Sequence, residues 1–112
     1  MEDAVRGADL VYTVTASRAP LVAAAWVGAG TLVVAVGSDG VDKQELDVGV
    51  LAGADRVVVD SLPQCRRIGE LHHALEAGAI DESAVAELGQ VISGAAPGRR
   101  SDAERIVCDL PG

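Results

Sequence analysis

Aromatic residues are nearly absent from this sequence: Trp and Tyr occur once each, and Phe does not occur. The interior must therefore be built from Val, Leu, Ile and Ala. Hydrophobic residues make up 49% of the 112 positions, which is enough for one domain with a core. Runs rich in Val, Ile and Leu are typical of parallel strands that helices bury on both faces.

Basic residues are also scarce, with 9 Lys and Arg against 17 Asp and Glu and a net charge of -8. Nucleic acids and anionic membranes require a cationic surface, so neither is expected as a partner. No apolar run approaches the roughly 20 residues of a membrane-spanning helix. Met1 is followed by Glu2 and Asp3, not by the basic and apolar regions of a signal peptide. We therefore expect a cytoplasmic protein.

Several sequence motifs of phosphate-binding loops, catalytic nucleophiles and metal sites are missing. The chain has no GxGxxG loop, no Walker A pattern and no GxSxG elbow. Cys65 and Cys108 lie far apart without CxxC spacing, which indicates reduced, partly buried side chains. His72 and His73 are adjacent and point in different directions on a helix, and no further Cys or His stands at ligand spacing. No metal site is predicted.

Strand patterns alternate with helical patterns along the chain, which indicates parallel βαβ units. The predicted strands cover residues 10–15, 31–36, 56–59 and 105–110. The predicted helices cover residues 3–8, 21–27, 42–52 and 61–77, and a further short helix has apolar positions Val85, Leu88 and Ile92. Ser61 and Gln64 form a capping-box pattern, and Asp81 is the predicted cap of the last helix.

The stretch from residue 33 to residue 47 carries the main functional signal. An apolar strand pattern ends in Gly37-Ser38-Asp39-Gly40, and charged residues follow. In open α/β sheets, ligands bind outside the carboxyl ends of the strands. Asp39 at such an end can accept and return a proton beside a reacting atom, and the two glycines would let backbone approach a ligand. Asp before Gly is also a common turn former.

Four more polar residues are candidates near the same predicted edge. Lys43 has the charge to bind a phosphate or ribose, but a lysine early in a helix is also a common surface residue. Thr13, Thr15 and Ser17 lie at the end of the first strand, and alternation places the two threonines on one face, where they could bond a ligand. Threonine is equally a favourable strand residue, so both interpretations stay open.

Eight segments in order carry a family resemblance, namely residues 8–11, 13–20, 36–39, 43–47, 54–60, 69–71, 98–102 and 108–112. Each is short, but their order and spacing run over almost the whole chain. Together they closely resemble the ornithine cyclodeaminase/mu-crystallin family. The resemblance implies an α/β fold: a parallel Rossmann-type sheet flanked by helices, within a two-domain enzyme that is usually a homodimer.

The resemblance also implies a chemistry. Family members include cyclodeaminases, alanine dehydrogenase-like enzymes and ketimine reductases, which pass a hydride between nicotinamide and a carbon bearing nitrogen. The implied cofactor is NAD or NADP, and the implied substrate is an amino or imino acid. Asp39 matches the catalytic carboxylate, which relays protons and contacts the substrate amine. The matching cofactor-side positions are Thr13, Ala16, Ser17, Val36, Gly37, Ser38, Lys43 and Leu110. Pro111 replaces a usual threonine and falls beside the substrate.

Compared with the family pattern, residues 1–112 correspond to the second, nicotinamide-side half of the NAD(P)-binding domain. The glycine-rich loop and the substrate and dimerisation domain have no counterpart in this sequence. We expect the chain alone to be inactive unless another chain supplies the missing half, because the pyrophosphate would lack its helix N-terminus and nothing would orient the amine. The expected protein partners are a second copy, in a homodimer, or a complementing chain.

Two other classes of protein remain open. One is a non-enzymatic module, either a truncated relic or a small domain that self-associates through an open edge strand. The other is a stand-alone flavodoxin-like domain, which would need a phosphate-binding loop that this sequence does not display.

Overall fold

An all-parallel sheet of five strands organises the structure, a computed structural model that describes residues 2–111. The strands are β1 (Leu10–Thr13), β2 (Leu32–Ala35), β3 (Arg56–Val59), β4 (Val85–Glu87) and β5 (Ile106–Asp109). Their order across the sheet is β1-β2-β5-β3-β4, so β5 lies between β2 and β3. The predicted parallel Rossmann-type α/β class is confirmed.

Short helices connect the strands. They are α1 (Glu2–Val5), α2 (Val48–Ala52), α3 (Leu62–Cys65), α4 (Gly69–Glu76) and α5 (Leu88–Ser93), with 3₁₀ turns at Ala24–Trp26 and Glu82–Ala84. Within residues 2–111, none of these helices has the length and apolar character needed to cross a membrane.

The apolar core lies on one face of the sheet. Val33, Val59 and Val107 are fully buried there, and the same cluster contains Leu51 of α2 and Leu71 of α4. Branched valines suit this position because they pack well on a pleated surface. The core is therefore aliphatic, as the lack of aromatic residues predicts.

The outer strand β1 is less covered than the centre of the sheet. Leu10 and Tyr12 are 56% and 60% exposed, and Val14, just beyond the strand, is also exposed. These three side chains alternate with the buried Val11 and Thr13. One edge of β1 has no strand partner among the described residues, because β2 lies on its other side.

The prediction of a helix over residues 42–52 is wrong in its first half, because only Val48–Ala52 is helical. Leu46 instead forms an isolated parallel bridge with Val22, and its N–H donates to the carboxylate of Glu70 (2.9 Å). Asp47 is the N-cap and accepts a bond from the Gly49 N–H. Long-range partners thus replace the first helical turn.

The prediction of one helix over residues 61–77 is also wrong, because the chain forms α3 and α4 with a break between them. Gly69 has a φ of +87°, and a Cβ there would come within 2.8 Å of Asp109 Oδ2. The Ser61 side chain makes no capping bond. The Leu62 N–H donates to Glu87 instead (2.8 Å).

Two further helix predictions need correction. Residues 21–27 contain only the 3₁₀ turn Ala24–Trp26. Asp81 does act as a cap and accepts a bond from the Ser83 N–H (2.9 Å), but the turn it caps has three residues. The strand β4 follows, which the sequence analysis missed because three residues are too few to show alternation. α5 then begins with a capping box of Glu87 and Gln90.

Replacement of Leu71 by Ala tests this core. Leu71 is fully buried in α4, so Leu71→Ala removes apolar contacts and leaves a cavity. We expect the free energy of unfolding, measured by urea denaturation, to fall by about 2–5 kcal/mol. Ile92→Ala is the control, because Ile92 is 78% exposed, and its effect should stay within about 0.5 kcal/mol. Equal effects of the two changes would contradict this packing.

Candidate functional site

The carboxyl ends of β1, β2 and β5 meet at one edge of the sheet. Thr13, Ala35 and Asp109 are register partners across these three strands, so their side chains share a face and a level. Thr13 is the last residue of β1, and the loops that follow these strands carry the other site residues that the sequence analysis named. The structure therefore brings all of these residues to one edge, as expected for an open α/β sheet.

Asp39 and Lys43 form an ion pair in the loop after β2. Lys43 Nζ lies 2.7 Å from Asp39 Oδ1, and the Asp39 side chain is 60% exposed. The hydrogen bond from Lys43 and its charge lower the pKa of Asp39 below the ordinary value. Asp39 is therefore an ionised carboxylate at neutral pH, accessible from solvent and able to accept a proton.

The rest of this loop is fixed by its own bonds. The Ser38 side chain is buried, and its hydroxyl donates to the Lys43 carbonyl oxygen. Gly37 packs directly on the loop after β1, because a Cβ on residue 37 would overlap the backbone of Thr15. The structure thus shows close backbone approach at Gly37 between two loops of the chain itself, and the approach of Gly37 to a ligand stays a prediction. Gly40 makes no such approach to another segment.

The loop after β1 is also organised by its own hydroxyl groups. Strand β1 ends at Thr13, so Thr15 lies in this loop and is exposed. Thr15 Oγ1 accepts a bond from the Ser17 N–H (3.2 Å), and the Ser17 hydroxyl donates to the Ala19 carbonyl (2.6 Å). Ala16 is exposed between them. Ser17 therefore uses its hydroxyl hydrogen within the loop.

Two buried polar atoms at this edge lack hydrogen-bond partners among the described residues: Thr13 Oγ1 and Asp109 Oδ1. Both side chains are at least nine-tenths buried, and they share one register row with Ala35 between them. Buried polar atoms are rarely left unpaired in folded proteins.

Three buried carboxylates underlie the same edge, and the sequence analysis assigned none of them a role. Glu45, Glu70 and Asp109 are each at most 1% exposed. Asp109 accepts a bond from the Leu71 N–H (2.9 Å), at the start of α4. In the sequence, Glu45 and Glu70 stand in predicted helices, where a glutamate normally indicates a solvent-facing position.

Burial changes the protonation of two of these groups. It raises the pKa of Glu70 from 4.5 to about 7, although two backbone N–H groups act in the opposite direction. It likewise raises the pKa of Asp109 from 3.8 to about 6, against the nearby N–H groups of Leu71 and Glu70. Both carboxyls therefore change charge closer to neutral pH than exposed carboxyls do.

The remaining predicted site residues follow β5. The Leu110 N–H donates to the Ala35 carbonyl (2.9 Å), which extends the ladder beyond the strand. Pro111 is buried, and its Cγ lies 3.0 Å from where a Cβ on Gly69 would be. Both residues thus lie between β2 and α4 at the carboxyl edge.

The two histidines bond backbone carbonyls. His73 Nε2 lies 2.6 Å from the Lys43 carbonyl oxygen, and His72 Nδ1 lies 3.1 Å from that of Arg66. No group of three or more His, Cys, Asp or Glu side chains within residues 2–111 has the spacing of a metal site. His73 therefore supports the loop that carries Lys43.

The buried Glu70 predicts how stability depends on pH. A carboxyl whose pKa is higher in the folded chain favours folding while protonated, and this contribution disappears as pH rises from 4.5 through about 7. We expect the free energy of unfolding to fall over this interval by about 3 kcal/mol through Glu70. Glu70→Gln cannot ionise, so its decline, measured by urea denaturation at successive pH values, should be smaller.

Glu76→Gln is the matched control, since it makes the same change in the same helix at a side chain that is 70% exposed. It should retain the wild-type dependence on pH. A wild-type stability that rises between about pH 5 and pH 7.5, or a Glu70→Gln profile identical to the wild type, would contradict the assignment.

Several known proteins are similar to this chain in sequence and in structure. It is 48% identical over 110 residues to an uncharacterized cyclodeaminase of Sinorhizobium fredii, and the match covers 97% of this chain and 33% of that protein. The archaeal alanine dehydrogenase dimer with bound NAD superposes with a TM-score of 0.92 and 45% identity, over 99% of this chain and 34% of that one.

A reductase of the same fold is a third relative. The Thermococcus litoralis Δ1-pyrroline-2-carboxylate reductase in complex with NADH and L-proline superposes with a TM-score of 0.93 and 28% identity, over 99% of this chain and 35% of that one. The chain thus spans about a third of the length of these relatives. The sequence pattern of the ornithine cyclodeaminase/mu-crystallin family matches residues 1–112. The chain belongs to the ornithine cyclodeaminase/mu-crystallin family.

Proposed function

We propose that this chain supplies the nicotinamide side of an NAD(P)-dependent site that acts on an amino or imino acid. The observation that carries the proposal is the exposed Asp39–Lys43 pair at the carboxyl edge of a parallel sheet. Thr13 and Asp109 each add a buried, unpartnered oxygen at the same edge. The reaction is a cyclodeamination, a ketimine reduction or an amino acid dehydrogenation.

The relatives support this class of ligand. The archaeal alanine dehydrogenase binds NAD, and the Thermococcus reductase binds NADH and L-proline. Both share at least 28% identity with this chain over nearly its whole length. The proposal transfers the nicotinamide cofactor, which both complexes contain, and a small molecule with nitrogen on the reacting carbon, which is L-proline in the Thermococcus complex.

The residues present fit a dinucleotide at this edge. The end of β1 and the loop after it would contact the dinucleotide through Thr13, Ala16 and Ser17. The neighbouring positions on the other loops would be Val36, Gly37, Ser38, Lys43 and Leu110. Bound nicotinamide would supply the hydride acceptor or donor. The Thr13 hydroxyl, buried and unpartnered within the described residues, has a free hydrogen with which to bind it.

Asp39 would accept the proton from the substrate nitrogen and return it. While Lys43 stays 2.7 Å away, Asp39 remains ionised and can accept a proton. Uptake of the proton becomes easier when Lys43 moves toward a bound anionic group, because the pKa of Asp39 then rises, and its return becomes easier when Lys43 is again beside the carboxylate. Pro111, buried beyond β5, would lie beside the substrate. The pair thus couples ligand binding to proton transfer.

The domain assignment is part of the same proposal. Residues 1–112 form a partial NAD(P)-binding domain, and a complementing chain would supply the glycine-rich loop and the substrate domain, because a homodimer of residues 1–112 contains neither. Pyrophosphate binding and substrate orientation both need these parts. Residues 1–112 alone would therefore bind a cofactor weakly and catalyse nothing.

A non-enzymatic module is the second candidate, and one observation favours it. β1 is an edge strand, and its exposed side chains Leu10, Tyr12 and Val14 present an apolar surface beside the free edge. Such an edge can pair with another chain. A chain that self-associates and binds no nicotinamide cofactor would support this reading over the first.

Calorimetric titration with NADH and NADPH tests cofactor binding. We expect a dissociation constant below about 100 μM, near -5.5 kcal/mol, for at least one of them. Asp39→Ala and Lys43→Ala should each weaken it by about tenfold or more, because they disrupt the ion pair at the site. Arg66→Ala is the control, since it removes an ion pair with Glu82 elsewhere on the surface. No binding by the folded wild-type chain would contradict the proposal.

Turnover is the second test. We expect the purified 112-residue chain to show no oxidation of NADH or NADPH, followed at 340 nm, with an imino acid such as Δ1-pyrroline-2-carboxylate. The physical reason is the missing orientation of the substrate amine. Measurable turnover that Asp39→Ala abolishes would show that this chain holds a complete site, and the partial-domain assignment would be wrong.

A further inference from the structure

Glu45 has an unusual position between two site loops. It stands between β2 and α2, and its side chain is fully buried at the carboxyl edge. Its carboxylate accepts two backbone bonds, from the Thr15 N–H (2.6 Å) and from the Gly37 N–H (2.9 Å). These donors belong to the loops after β1 and β2. One side chain therefore joins both loops on which the proposed cofactor contacts stand.

The Glu45 carboxylate accepts backbone hydrogen bonds just beyond the end of the β1–β2 ladder. The last ladder bond runs from the Val36 N–H to the Thr13 carbonyl (2.9 Å). In a regular parallel ladder, the next N–H groups would donate to the neighbouring strand. Here Thr15 and Gly37 both donate to Glu45 instead. The two chain segments can separate into loops beyond this point without leaving these donors unpaired.

Glu45 is itself held on both sides by its backbone. Its N–H donates to the buried Glu70 carboxylate (2.9 Å). Its carbonyl oxygen accepts bonds from the N–H groups of Leu21 (2.7 Å) and Val22 (3.1 Å). A side chain that starts from a fixed backbone can set the position of the groups it binds.

We propose that Glu45 is a positioning residue for this site, because its carboxylate fixes the separation of the loops after β1 and β2. The inference rests on the proposed function. Asp39 lies two residues after Gly37, and Ala16 and Ser17 directly follow Thr15. A shift of either N–H group therefore moves the proton-handling carboxylate relative to the cofactor contacts. Glu45 acts through these loops and does not itself contact a ligand.

Glu45→Gln tests the proposal with little change in volume. The amide retains one acceptor oxygen and places an NH₂ group against the other backbone N–H, so one of the two bonds is lost. Because loss of this bond frees one of the two loops to shift, we expect the NADH dissociation constant to rise by about tenfold. The number of binding sites per chain, measured in the same calorimetric titration, should not change.

Glu104→Gln is the matched control. Glu104 also accepts two backbone bonds with its carboxylate, from Arg100 (2.6 Å) and Ser101 (3.3 Å), in the loop before β5 at the opposite end of the sheet. Its NADH affinity should stay within about twofold of the wild type. If Glu45→Gln instead lowers the number of sites and leaves the dissociation constant unchanged, its role is only to maintain folding, and the proposal is wrong.

Hydrogen exchange gives a readout that needs no ligand. In Glu45→Gln, the exchange rate of the Thr15 or Gly37 amide should rise by about tenfold, while the Val33 and Val57 amides inside the sheet keep their wild-type rates. Unchanged exchange at both Thr15 and Gly37 would overturn the proposal. Failure of the wild-type chain to bind NADH or NADPH would instead contradict the proposed function, and the exchange rates would still decide whether Glu45 joins the loops.

Discussion

Backbone N–H groups bonded to buried carboxylates are the constraint on which the carboxyl edge depends. The loops there leave the sheet before their N–H groups find partners in a ladder or a helix. Glu45 accepts hydrogen bonds from N–H groups of the loops after β1 and β2. Glu70 accepts bonds from the N–H groups of Glu45 and Leu46. Asp109 accepts a bond from an N–H group at the start of α4. An unpaired N–H in such a place would cost about 1–3 kcal/mol. The three acids therefore allow irregular backbone at this edge without leaving these N–H groups unpaired.

This arrangement has an electrostatic cost, which appears in the raised pKa values of Glu70 and Asp109. Both rise because burial disfavours the charged form more than the backbone bonds favour it. By contrast, the pKa of the exposed Asp39 falls, because Lys43 is beside it. Within one edge, burial thus drives Glu70 and Asp109 toward the neutral form, and Lys43 drives the solvent-facing Asp39 toward the charged form. Groups whose environments separate their pKa values in this way are typical of functional sites.

The sequence predicts the sheet better than the connections. Arg56–Val59 has the predicted bounds, because four β-branched or long residues between turns leave few alternatives. The predicted edge for Asp39 is also correct, since it needs only a strand followed by a glycine-rich turn. The helices over 42–52 and 61–77 are wrong because their decisive partners are distant in sequence: Leu46 bonds to Glu70, and Gly69 packs on Asp109. Local periodicity counts Glu45 and Glu70 as surface residues, so it contains no signal for the buried acids. The unpaired Asp109 Oδ1 depends on the register of neighbouring strands, so local sequence patterns do not predict it either.

The central place of β5 has a consequence for synthesis of the chain. The strands on either side of it, β2 and β3, are made at least 47 residues earlier, counting from Val59 to Ile106. Until residues 106–109 leave the ribosome, the sheet can exist only as two separate pairs, β1–β2 and β3–β4, with a vacant slot between them. Each pair exposes a valine-rich inner edge during that time, which is a site for incorrect pairing with other nascent chains. Since Asp109 also holds the start of α4, the same late strand completes both the sheet and the support of the functional edge. The support of this edge by Asp109 therefore cannot form before β5 has been made.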